Sequence, residues 1–182
     1  MAPAVSGLHN GPKAIKLPVL SDRLAPFCKA LTQAACDVYA ERLVALAIFG
    51  SWARGRATPV SDIDVLVVAR PLPPSRRKRV AEFAAVESAT QAARARIWPE
   101  PASPRELSPV IKTPEEVQAG SPLFLDMTDA CRLLWDRGGF LAQYLRGLRE
   151  RMAALGTRRH FRKGGYFWEY KPGLRPTESV WL

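Results

Sequence analysis

Cysteine, histidine and acid are all scarce in this chain, no long apolar run occurs, and each shortage removes a class of function. There are three cysteines, Cys28, Cys36 and Cys131, and none forms a CxxC pair. An odd count without that spacing argues against a disulfide framework or a cysteine zinc site and for a reducing compartment. Cys28 and Cys131 sit among apolar neighbours and are expected to be core thiols. Of the two histidines, His9 falls in a loose N-terminal stretch and His160 has no acid or nucleophile near it in sequence. Neither is assigned a catalytic role. The longest apolar run, "LVALAIF", has 7 residues, too few to span a bilayer. No apolar core of a signal peptide occurs in the first 20 residues. The expectation is a soluble, cytoplasmic protein. Acids number 17 against 27 Lys and Arg, a net charge of +10. That excess favours anionic partners such as nucleotides or nucleic acid, and a basic solvated surface is the plainer account.

What is present supports a folded domain. Hydrophobic residues make up 47% of 182, enough for a real core. Residues 1–20 lack periodicity and read as a flexible arm. From about Asp22 to Arg42, apolar residues Leu24, Phe27, Leu31, Ala34, Ala35 and Val38 recur at helical spacing. "LVALAIF" and "DIDVLVVA" read as buried strands. Ser75 is placed to cap a long helix that runs to about Ile97. "WPEPASPRE" is a Pro-rich connection. "ELSPVIK" reads as a strand, and Pro109 confines it to a sheet edge or a bulge. "TPEEV" starts a helix with Thr113 as cap and Pro114 at its first position. "DACRLLWD" fits a strand or a short helix. Residues 140–155 form an amphipathic helix. The tail "RRHFRKGGYFWEYKPGLRP" reads as a hairpin turning at Gly164-Gly165. The order helix, strand, strand, helix, strand argues for an α+β fold, a mixed sheet flanked by helices. The expected organisation is an arm over 1–20, one domain over 21–156 and a basic, aromatic hairpin extension over 157–182.

The chemistry concentrates in residues 48–69, "IFGSWARGRATPVSDIDVLVVA". Asp62 and Asp64 alternate with Ile63 and Val65, so both carboxylates face one side of the strand. Paired carboxylates at that spacing can bracket divalent cations for in-line displacement. Oxygen ligands suit magnesium, which completes its shell with water and substrate phosphate. Unpartnered, the two charges repel, and one tends to take up a proton. The plainer reading is a turn that Ser61 or Asp62 caps. Gly50 ends the first strand and lets backbone approach a ligand. "SWARG" then offers free backbone N–H groups and the Ser51 hydroxyl to an anion, with Arg54 and Arg56 nearby.

This stretch resembles the signature of the DNA polymerase β-like nucleotidyltransferases, especially their small bacterial and archaeal branch. "GSxARG" and "SDID" are both intact, and a weaker resemblance runs over residues 25–155. The resemblance implies a polymerase β palm-like fold and transfer of a nucleoside monophosphate, AMP from ATP or another nucleoside triphosphate, to an acceptor hydroxyl with release of pyrophosphate. Gly50, Ser51, Arg54 and Ser61 would hold the nucleotide. Asp62 and Asp64 would hold magnesium, with manganese as the alternative ion. A third carboxylate is usual in the family; Glu106 is the candidate, and Asp126 and Asp129 are fallbacks. Small relatives pair with a helical HEPN-type partner as antitoxins, so a protein partner is a second expectation. A nucleic-acid binder that has kept the fold is a third.

Two further clusters carry weaker signals. "SRRKRV" puts four basic residues in the first turns of a helix, against its dipole, and reads first as a solvated face. In the tail, Arg158, Arg159, Arg162 and Lys163 interleave with Phe161, Tyr166, Trp168 and Tyr170. That mixture can bind single strands by stacking, but the period-two aromatics favour packing on the chain's own domain.

Overall fold

The computed structural model describes residues 24–58, 61–97 and 106–173. The N-terminal arm, with His9, and most of the Pro-rich connection lie outside them. Six helices and six strands follow in the order α1 (Ala25–Tyr39), β1 (Leu43–Ile48), α2 (Gly50–Ala53), β2 (Ile63–Ala69), α3 (Arg76–Ile97), β3 (Leu107–Lys112), α4 (Pro114–Gln118), α5 (Pro122–Asp129), β4 (Arg132–Asp136), α6 (Phe140–Leu155), β5 (Arg158–Arg162) and β6 (Gly165–Glu169).

Four strands form a mixed sheet in the order β3-β2-β1-β4. β1 runs antiparallel to β2 and β4, and β2 runs parallel to β3. Pro109 therefore sits on an edge strand, where its missing N–H costs no ladder bond on the open side. "RLLWD", which periodicity leaves open between helix and strand, is β4. It pairs along β1 from Ile48↔Arg132 to Ala45↔Asp136. The first helix is shorter than its periodicity suggests. It stops at Tyr39, and Ala40 turns at φ 47 into a 3-10 turn over Ala40–Arg42.

Side-chain alternation along β2 divides the core in two. Ile63, Val65 and Val67 face α1 and α3, packing with Phe27, Leu31, Phe83 and Val86. Leu66 and Val68 face α5 and α6, packing with Phe124, Leu125, Leu141 and Leu145. Both sides of the sheet are covered, so its central strands are apolar throughout. Asp62 and Asp64 share the parity of Leu66 and Val68 and so belong to the α5 and α6 side. Cys28 and Cys131 are buried and all three thiols are free; burial pushes Cys131 up to about 12.

Local chemistry fixes the helix ends. Thr113 and Glu116 form a reciprocal capping box at the start of α4, with Pro114 in its first turn. The Asp136 carboxylate, at the end of β4, accepts from the N–H groups of Leu141 (2.9 Å) and Ala142 (3.0 Å) and so caps α6. α3 starts after Ser75, and its basic first turn is not uniformly solvated. Arg79 is buried and donates to the carbonyls of Pro73 (2.6 Å) and Ile111 (3.2 Å) and to Glu116 (2.7 Å). It ties α3 to β3 and α4, while Arg76, Arg77 and Lys78 are exposed. No helix among the described residues is long and apolar enough to cross a membrane.

Candidate functional site

The signature residues meet where β1 ends and β2 begins. The Phe49 N–H donates to the Asp64 carbonyl at 3.0 Å and draws the two strands together. Gly50 then turns at φ 69, a left-handed conformation that glycine adopts without steric cost. Its missing side chain matters as much as its dihedral. A Cβ on Gly50 would stand 1.9 Å from Oδ2 and 2.8 Å from Cγ of Asp64. The Asp64 carboxylate therefore lies directly against the Gly50 backbone, and no other residue leaves room for it.

After Gly50 the chain winds through α2 and folds back. Arg54 N–H donates to the Gly50 carbonyl at 3.2 Å, and Arg56 N–H to the Ser51 carbonyl at 2.9 Å. The Trp52 indole N–H reaches the Ser61 carbonyl at 3.3 Å, and the Ser61 hydroxyl accepts from Thr58 N–H at 2.9 Å. Ser61 is thus engaged in closing its own loop. Ser51 and Arg54 are half-buried beside Gly50, and Asp62 is exposed just ahead of β2.

Burial raises the Asp64 pKa, and the Asp62 charge adds to the rise, while the Arg54 guanidinium opposes it. Two like charges at the start of one strand repel. On the other flank, Ile63 N–H donates to the Glu106 carbonyl at 3.1 Å. Ile63 pairs with Leu107 and Asp64 with Ser108. The same parallel offset puts the backbone of Glu106 level with Asp62, at the mouth of β3, with its side chain exposed. Among the described residues, no three His, Cys, Asp or Glu side chains gather closely enough to share a metal ion. The donor set at the site is Asp62 and Asp64, two carboxylates, which fits magnesium held by one or two acids together with substrate phosphate.

The fallback acids serve elsewhere. Asp126 on α5 accepts from Tyr166 Oη (2.6 Å), Trp168 Nε1 (3.0 Å) and Arg159 (3.2 Å). Asp129 pairs with the same Arg159 at 2.5 Å. Both acids hold the C-terminal hairpin, and nothing in the sequence near Asp126 signals this. The hairpin turns at Lys163-Gly164, with Arg162 paired to Gly165, one residue before the expected turn. Of the three period-two aromatics, Trp168 packs against the α5 and α6 core, while Tyr166, although its hydroxyl reaches Asp126, and Tyr170 are exposed. His160 does find an acid once the strands pair: Glu169 lies 2.8 Å from its Nε2.

Residues 28–116 match the nucleotidyltransferase domain family. A candidate protein adenylyltransferase of Methanocaldococcus jannaschii is 29% identical over 111 residues, covering 59% of this chain and 68% of that protein. Among solved structures, a toxin–antitoxin complex with AMP-PNP superposes with a TM-score of 0.46 at 16% identity, covering 71% of this chain and 92% of the other. A complex of tri-AMPylated HEPN toxin with MNT antitoxin from Shewanella oneidensis gives 0.43 at 15% identity, covering 71% and 90%. The intact Gly-Ser and Asp-Ile-Asp elements, set against each other at the mouth of a mixed sheet, agree with the domain match: over residues 28–116 the chain is similar to the nucleotidyltransferase domain family.

Proposed function

We propose that the chain transfers a nucleoside monophosphate, AMP from ATP, to an acceptor hydroxyl. The observation that carries this is the contact between the Gly50 backbone and the Asp64 carboxylate. It sets the turn that leads into the half-buried Ser51 against an acid whose charge calls for a cation. In this reading Gly50 and Ser51 seat the triphosphate, Arg54 supplies charge beside it, and Ser61 holds the loop that carries Asp62. Asp62 and Asp64 would hold the magnesium, and Glu106, whose backbone is level with Asp62 on the neighbouring strand, is the candidate third carboxylate. The metal, when bound, neutralises charge on the phosphates. The acceptor oxygen bonds to the α-phosphorus, the bond from that phosphorus to the β-phosphate bridging oxygen breaks, and pyrophosphate leaves. Positioning and charge stabilisation supply most of the rate in such transfers.

The test is incubation with magnesium and ATP labelled at the α-phosphate, in parallel with label at the γ-phosphate, with cell extract as acceptor. Label from the α-position is expected on the acceptor and label from the γ-position in pyrophosphate. Asp62→Asn combined with Asp64→Asn is expected to abolish both. Transfer that survives this double substitution removes the proposed role of the acids.

A further inference from the structure

The β5–β6 hairpin carries chemistry that nucleotidyl transfer by itself leaves unused. Cross-strand pairing sorts its side chains. Arg159 with Trp168 and Phe161 with Tyr166 share one face; Arg158 with Glu169 and His160 with Phe167 share the other. The first face docks on Asp126, and the Arg159 guanidinium covers the rings of Tyr166 and Trp168 at 4.8 and 4.4 Å. Phe161, at the free end of that face, is 69% exposed.

The second face is turned to solvent. His160 stacks on Phe167 with centroids 5.1 Å apart and planes 14° from parallel, and Arg162 lies 4.8 Å over the Phe167 ring. Phe167 is still 43% exposed. The hairpin's cations outnumber its acids: from 158 to 169 there are four Lys and Arg and one Glu. Glu169 is paired with His160, and Arg159 with Asp126 and Asp129. Arg158, Arg162 and Lys163 are exposed and enter no ion pair among the described residues.

Exposed rings beside unpaired cations on a rigid ribbon match one polymer in both respects. Every base offers a π-face and every nucleotide a phosphate, and single-strand binders pair stacking with a basic track. An apolar protein groove closing over this hairpin would have to desolvate three unpaired cations. The hairpin also lies on the side of the sheet that Asp62 and Asp64 face, because it docks on α5 through Asp126 and Trp168 packs against the α5 and α6 core.

We propose that this hairpin grips single-stranded nucleic acid passing around its free end, with Arg158 and Arg162 of the second face and Lys163 of the turn on phosphates and Phe161, exposed on the first face at that end, under a base, and that the gripped strand supplies the acceptor hydroxyl. The second half rests on the nucleotidyl-transfer reading.

Fluorescence anisotropy of the full chain with labelled single-stranded RNA and DNA of about 12 nucleotides tests the grip. The wild type is expected to bind with an affinity that falls steeply with salt. Replacing Arg158, Arg162 and Lys163 together by alanine is expected to weaken binding at least tenfold and to flatten the log–log salt slope by about 2. Phe161→Ala is expected to weaken binding about fivefold to a hundredfold with the slope unchanged. Unaltered Trp168 emission shows that each variant keeps its hairpin docked. The grip is overturned if the wild type binds neither polymer, if the triple variant binds as tightly with the same slope, or if these changes release a stoichiometric protein partner and spare oligonucleotide binding.

The acceptor half is read separately, by α-phosphate label from ATP. Label on the oligonucleotide, lost in Asp62→Asn with Asp64→Asn while anisotropy is kept, supports it. Label on another acceptor only overturns that half and leaves the grip standing. No label on any acceptor sinks the transfer reading itself.

Discussion

At the scale of single residues, the site depends on one missing atom. Gly50 holds φ 69 and leaves the space that Asp64 Oδ2 occupies. Gly50→Ala puts a methyl group 1.9 Å from that oxygen, so either the carboxylate or the turn must move. A misplacement of about 1 Å costs about a hundredfold in rate where positioning supplies the catalysis. We expect transfer to fall by at least that much, while the left-handed turn adds about 1–2 kcal/mol of destabilisation. Steady-state transfer and thermal melting measure the two effects separately. Asp64 supports a pH prediction as well. Its folded pKa is raised, chiefly by burial, so the folded chain binds a proton more tightly than the unfolded one. Stability is then lost as pH rises from the unfolded value, about 3.9, through the raised folded value. In chelator, Asp64→Asn is expected to melt higher than wild type at neutral pH. The gain should shrink as pH falls toward about 3.9. An equal gain at every pH would show that the charge is not its source.

At the scale of elements, Asp126 makes most of the polar contacts that hold the hairpin, with Asp129 on the same Arg159. Asp126 accepts from Arg159, Tyr166 and Trp168, and hydrogen bonds to a charged group are worth about 1.5–3 kcal/mol when buried. Asp126→Ala should release β5 and β6 without unfolding the sheet. Trp168 emission is expected to shift to longer wavelength, and amide protection across the hairpin to fall about tenfold or more, with protection in β1 and β2 retained. Loss of protection in all strands together would mean that the hairpin is integral to the domain. The two helix starts at Thr113 and Asp136 show how differently elements announce themselves. "TPEEV" contains its whole capping box within four residues. The cap of α6 comes from the preceding strand, and its acid has meaning only once β4 has formed.

At the scale of the whole molecule, one sheet separates two cores that share β1 and β2. Phe83 buries itself on the α1 and α3 side, and Leu145 on the α5 and α6 side. Truncation to alanine at either position should cost about 2–5 kcal/mol, a large part of the roughly 5–15 kcal/mol that stabilises a domain. Because the sheet links the two sides, we expect each variant to melt in a single transition displaced to lower temperature. Calorimetry that resolved two transitions in the Leu145→Ala variant would show that the sides unfold independently.

The sequence alone determined whatever rests on local periodicity and short spacing. Central strands covered on both faces must be apolar throughout, so β1 and β2 could be read directly. The α6 stripe and the Thr113 box are equally local, and Pro109 limited its strand to an edge or a bulge. Gly50, Ser51, Asp62 and Asp64 were legible because the motif packs turn and acids into some fifteen residues. The tertiary structure alone decided everything that joins distant segments. It made "RLLWD" a strand by pairing it with β1, turned Arg79 from a solvated charge into a tie between α3 and α4, and spent Asp126 and Asp129 on the hairpin. It also set Glu106 level with Asp62 and brought Arg54 within reach of both Asp64 and Tyr166. The physical reason is the same in each case. A periodic pattern reports which face of an element is buried, but the partner of a charge is fixed by register and packing between elements, and these follow from the whole chain.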